Sequence, residues 1–138
     1  MTDKAAAKER MTALLREGIT QGAAGDLVGA RIALSSVLEL DPRHYDAWYN
    51  LGNVHREERA FARAAACYRT ALAIEPDNHP VLYQLAVVLE ADGRAAEARA
   101  AYRDAVRTSP NAGQQWGYRG MDFTQKAEAA LRRLGPAG

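Results

Sequence analysis

Residues 45–78 read YDAWYNLGNVHREERAFARAAACYRTALAIEPDN, and this stretch decides the fold. Trp48, Leu51, Gly52 and His55 recur at helical spacing and draw one stripe along a first helix. Ala64, Tyr68, Ala71 and Leu72 draw the matching stripe along a second. Gly52 removes side-chain bulk from the first stripe, so the second helix can approach closely while Tyr68 fills the gap beside it. Pro76 cannot continue a helix and forces Glu75 extended, which ends the segment. The stretch predicts a helix hairpin.

The same design extends in both directions. Pro42, Pro76 and Pro110 are spaced 34 residues apart, and segments 11–44, 45–78 and 79–112 superimpose without a gap. One column reads Leu14, Trp48, Leu82; four places on come Gly18, Gly52 and Ala86, all small. Ala30, Ala64 and Ala98 form another column, followed by Leu34, Tyr68 and Tyr102, then Val37, Ala71 and Ala105. Between the paired helices lie Gly25 and Gly93, residues that permit the left-handed conformation of a helix end. The middle segment has Arg59 there, which predicts a strained or shifted turn.

A repeat of this length resembles the tetratricopeptide repeat, with its Trp-x2-Leu-Gly-x2-Tyr…Ala-x3-Phe…Pro signature. The middle segment matches through Trp48, Leu51, Gly52, His55, Ala64, Tyr68, Ala71 and Pro76, with His55 where the family has Tyr. The third keeps Leu82, Leu85, Ala86, Leu89, Ala98, Tyr102, Ala105 and Pro110; the first is weaker, because Glu17 and Gln21 replace apolar residues. The resemblance implies an all-α fold. It would be a right-handed α-solenoid of three helix-turn-helix units (11–44, 45–78 and 79–112) in a single domain, 1–138, with an N-terminal helical extension, 1–10. A C-terminal loop and capping helix would occupy 113–138.

In such an array first helices line a concave surface and second helices a convex one. The resemblance carries the family's concave positions onto Leu15 and Ile19 in the first unit, Tyr49, Asn53 and Arg56 in the second, and Tyr83, Val87 and Glu90 in the third. It implies an oily groove with two aromatic anchors, a central amide and a mixed charged rim. One family subtype grips peptide carboxylates with Lys, Arg and Asn, and only Asn53 matches that set. The surface chemistry is closer to groove-type modules that hold an apolar or amphipathic segment, including small bacterial chaperones for secreted proteins.

Thr2 or Asp3 is placed to cap the first helix. Gly113, Gly117 and Gly120 around Trp116 and Tyr118 predict a loop over 113–121. Asp122 followed by Gln125 resembles a capping box, after which Phe123, Ala127, Ala130, Leu131 and Leu134 share one face of a capping helix.

Composition narrows function from outside. The 138 residues carry 18 Lys and Arg against 17 Asp and Glu, a formal charge of +1, which lacks the surplus that a dedicated nucleic-acid binder or polybasic membrane patch requires. Cys67 is the sole cysteine, so no disulfide or thiolate cage forms within the chain. Met1 to Arg10 lacks a secretory apolar stretch and no run is long enough to span a bilayer, so a cytoplasmic location is expected. No phosphate loop, nucleophile elbow or zinc-binding helix motif is present, and no cofactor, metal or catalytic residue is expected. His55 is expected as a packed helix contact, and His44 and His79 as turn residues. The expected function is a non-enzymatic protein–protein interaction module whose partner is another protein or peptide segment. Self-association into a homo-oligomer, through end faces or the C-terminal helix, is the alternative.

Overall fold

The computed structural model describes residues 2–109 and 122–136. Their regular structure is seven helices: α1 (Asp3–Ala23), α2 (Leu27–Leu40), α3 (Tyr45–Glu57), α4 (Phe61–Ile74), α5 (His79–Ala91), α6 (Ala95–Arg107) and α7 (Thr124–Leu134). The chain divides into two compact units, Met1–Ile74 and Glu75–Gly138.

In the first unit, α1 pairs with α2 and α3 with α4. Thr2 caps α1, its hydroxyl accepting from the Ala5 N–H at 3.2 Å. The expected extension 1–10 and the first repeat helix are therefore one helix. Asp26 caps α2 through the Gly29 N–H at 3.0 Å. His44 caps α3, its Nδ1 accepting from the Ala47 N–H at 3.2 Å, which bears out its reading as a junction residue.

The small residues of the repeat have their physical reason here. A Cβ on Gly18 would stand 2.8 Å from Leu34 Cγ, and one on Gly52 would stand 2.6 Å from Tyr68 Cε1. Both partner side chains are fully buried. The helices have closed to a distance that only glycine allows.

The inter-helix turns share one hydrogen-bonded closure. Asp26 N–H reaches Gln21 O at 2.8 Å, Ala60 N–H reaches His55 O at 2.8 Å, and Arg94 N–H in the second unit reaches Leu89 O at 2.9 Å. Each closure needs one left-handed residue: Gly25 (φ 88°), Arg59 (φ 60°) and Gly93 (φ 78°). The anomaly foreseen at Arg59 is thus a left-handed arginine in an otherwise regular turn. Its guanidinium lies 5.3 Å from the centre of the Phe61 ring, a contact that offsets part of the strain.

In the second unit, Asn78 caps α5 through the Val81 N–H at 3.3 Å, and Pro80 sits in the first turn, where no helical N–H is lost. α5 pairs with α6, and α7 packs on α6 with Ala127 and Ala130 buried. Two expectations need correction. Asp122 bonds the Thr124 N–H at 2.9 Å, so no capping box with Gln125 forms and α7 starts at Thr124. His79 is not a turn residue: it opens α5 and is completely buried. The loop expected over 113–121, with Trp116 and Tyr118, lies outside the described residues.

Candidate partner-binding site

Helix α1 presents Gly18, Ile19, Gly22 and Ala23 to one side of a cleft in the first unit, and α3 presents Asn50, Asn53, Arg56 and Glu57 to the other. Leu27, Leu34 and Val54 supply apolar floor, and the cleft holds about 490 Å³. Gly22 keeps it open without being demanded by packing, since a Cβ there would meet only Ala30 Cβ, at an ordinary 3.7 Å. Ile19 is 45% exposed, an apolar surface with no cover in the chain's first unit.

Asn53 sits on the α3 side with its amide oriented from behind. Its Oδ1 accepts from the Tyr68 hydroxyl at 2.5 Å, which fixes the amide's orientation and identifies the other terminal atom as the nitrogen, a donor only. Burial pushes the Tyr68 phenol well above its ordinary range, so it remains a donor to Asn53 across the whole working pH range. Arg56 and Glu57 approach each other at 3.4 Å on the rim.

Three of the sequence-derived residues, Ile19, Asn53 and Arg56, therefore meet at one cleft. Leu15 and Tyr49 do not line it. Leu15 packs against the core cluster of the unit. Tyr49 belongs to an aromatic pile, with ring centres 6.5 Å from Tyr45 and 5.9 Å from Tyr68. Asn50 and Leu27 line the cleft although no family position points to them. Leu27 opens a second helix, immediately after the turn, so a reading confined to first helices passes over it.

In the second unit α7 engages two of the remaining three. The Tyr83 ring lies parallel to Phe123 with centres 4.5 Å apart, and tilted against Tyr102 at 5.9 Å. Glu90 accepts from the Tyr102 hydroxyl at 2.8 Å and forms an ion pair with Arg133, one of whose contacts measures 3.0 Å. The hydrogen bonds from Arg133, and then that from Tyr102, hold the Glu90 carboxyl below its usual range against the opposing effect of burial. Val87 is half-buried on the same helix. The α7 backbone is tied at both ends: the Phe123 N–H donates to His79 Nε2 at 2.8 Å, and Arg99 Nε donates to Gly135 O at 3.2 Å. Since an amide can only donate, His79 Nε2 carries no proton, and its Nδ1–H points at Ala105 O, 2.7 Å away.

Elsewhere the chemistry is quiet. Among the described residues no group of three or more His, Cys, Asp or Glu is placed to hold a metal ion. The Cys67 thiol is buried and pushed up to about 11 by that burial. No described helix is long and apolar enough to cross a membrane.

Two tetratricopeptide repeat family models match the chain, one over residues 45–78 and one over 67–100. No curated protein sequence matches it. Among solved structures it is similar to PcrH in complex with the chaperone binding region of PopD, at TM-score 0.81 and 16% identity, with 92% of each chain covered. It is also similar to the Yersinia enterocolitica type III secretion chaperone SycD in complex with a peptide of the translocator YopD. There the TM-score is 0.80 and the identity 14%, covering 91% of this chain and 92% of that one. A Thermobaculum terrenum O-GlcNAc transferase mutant matches at TM-score 0.72 and 24% identity over 97% of this chain, which spans only 23% of that protein. At these identities the likeness shows the fold, an all-α helical solenoid.

Proposed function

We propose that this chain, which belongs to the tetratricopeptide repeat family, is a non-enzymatic module that holds an apolar or amphipathic segment of another protein. The observation that carries the proposal is the cleft of about 490 Å³ in the first unit, where Ile19, Asn53 and Arg56 converge. Ile19 and Leu27 would contact apolar side chains of the partner. Asn53, already oriented by Tyr68, would donate to a backbone carbonyl. Arg56 and Glu57 would set the register with polar flanks. Leu15 and Tyr49 support the walls, and Tyr83, Val87 and Glu90 provide a separate contact set in the second unit. Fold neighbours that hold peptide segments, such as PcrH and SycD, support the class of function. A near-neutral charge of +1 favours a protein partner over nucleic acid, and the unpaired Cys67 thiol fits a cytoplasmic location.

The test is affinity capture with the native chain and with Ile19→Asp, followed by titration of the captured protein's binding segment. Asp at this exposed position leaves the fold intact and places an uncompensated charge on apolar surface. Affinity should fall at least tenfold, as expected for a central interface contact. Equal affinity for the two chains would remove the cleft from the binding site.

Self-association is a second reading, favoured by one observation. Val28 and Ile32, one helical turn apart on α2, are 56% and 62% exposed. A monomeric mass for the native chain by light scattering at high concentration would dismiss it.

A further inference from the structure

We propose that the α5–α6 face bearing Tyr83, Glu90 and Tyr102 is a receptor for an amphipathic helix of defined chemistry, and that α7 is the occupant which such a partner helix displaces. The partner carries an aromatic residue just before its first turn, small residues one turn and two turns further on, and an arginine near its end. The proposal rests on the reading of the chain as an interaction module.

The contacts of α7 define this face. Tyr83 and Glu90 are engaged by the α7 segment, through Phe123 and Arg133. The occupant is a short helix of 11 residues, a length that is marginal in water without docking. It packs along α6, and its ring and charge contacts lie at its ends. Phe123 stacks on Tyr83 at the front, and Arg133 meets Glu90 at the back. Between them Ala127 and Ala130 are buried and Leu131 is partly buried. Such a surface selects by two anchors, with small residues where the helices approach most closely between them. The Arg133–Glu90 pair is exposed on its arginine side, 58%, so water and salt can exchange it readily.

Chemistry at the face matches such a ligand. The Tyr83 ring offers a flat surface for stacking, braced from behind by Tyr102. The Glu90 carboxylate offers a planar acceptor suited to a guanidinium. Because α7 is part of the same chain, it occupies the face at high effective concentration. A partner in solution therefore sees only the fraction of molecules in which α7 has left, and its apparent affinity is reduced by that fraction.

The experiment uses full-length chains and a fluorescent peptide of residues 122–136. Binding is followed by anisotropy for the native chain and for Phe123→Ala/Arg133→Ala. The doubly substituted chain should bind the peptide at least tenfold more tightly than the native chain. A peptide carrying Phe123→Ala should bind that chain at least tenfold more weakly. Arg133→Glu in the full chain, at a surface position that cannot unfold the core, serves as the second variant and should raise peptide affinity in the same direction. Equal binding to native and substituted chains, or none to either, would overturn the proposal. So would a native dimer that dissociates on Phe123→Ala/Arg133→Ala, which would assign the face to a second copy. Ile19→Asp should leave peptide binding unchanged, so this test and that of the cleft fail separately.

Discussion

Gly52 has no side chain because the Tyr68 ring stands where one would be. In an exposed helix Gly→Ala gains about 1 kcal/mol. Here the added methyl meets a ring that is completely buried and tied through its hydroxyl to Asn53, and overpacking of this kind costs about 1–3 kcal/mol. Gly52→Ala should therefore lower the urea midpoint, with the loss exceeding the propensity gain. Arg59 works in the opposite sense. An L-residue in the left-handed region costs about 1–2 kcal/mol, and glycine's extra chain entropy returns about 0.5–1 kcal/mol of that. Arg59→Gly should stabilise the chain by about 0.5 kcal/mol in urea denaturation. His55 supplies the pH dependence. Burial, the largest influence, lowers its pKa below 6.5 against the attraction of Glu58, with Arg63 and Arg31 adding to the lowering. The unfolded chain then takes up a proton before the folded one does, so stability falls as pH drops below about 6.5 and levels off under the folded value. Urea midpoints at pH 7.5 and 5.5 should differ in the native chain, and differ less in His55→Gln.

Elements were legible where a local device makes them. The three inter-helix turns could be placed because a helix end with a left-handed residue leaves a glycine in the sequence, and the exception at Arg59 announced itself as one. Thr2 is one of two caps that the chain alone offers for the first helix, whereas His44 reads there only as a turn residue and its capping of α3 comes from the structure. The misreadings concern contacts over long sequence separation. His79 lies 26 residues from Ala105 and 44 from Phe123, and no local pattern reports that both ring nitrogens are engaged. Substituting His79 with Leu removes both partners and leaves a carbonyl and an amide unmatched, which should destabilise the second unit by about 2 kcal/mol or more. Amide exchange in α5 and α6 would record the loss. The register of α7 was misjudged by one residue because Asp122 bonds the residue two places on rather than three.

For the whole molecule, the 34-residue period was enough to state the fold class, since units that bury only one another's flanks must repeat. The candidate site was legible in part. Ile19, Asn53 and Arg56 follow from position within the repeat, whereas Leu27 and Asn50 enter the cleft through the angle at which helices meet, which no single-helix pattern encodes. The covering of Tyr83 and Glu90 by α7 was equally beyond the sequence, because any amphipathic helix of this length would have read the same. We propose that the partner is held at the first unit's cleft. Amide and side-chain NMR shifts of the labelled chain on adding the captured partner segment test it most directly. The largest changes should fall on Ile19, Leu27, Asn53 and Arg56. Changes confined to the exposed faces of α2 and α4, with these four undisturbed, would contradict it.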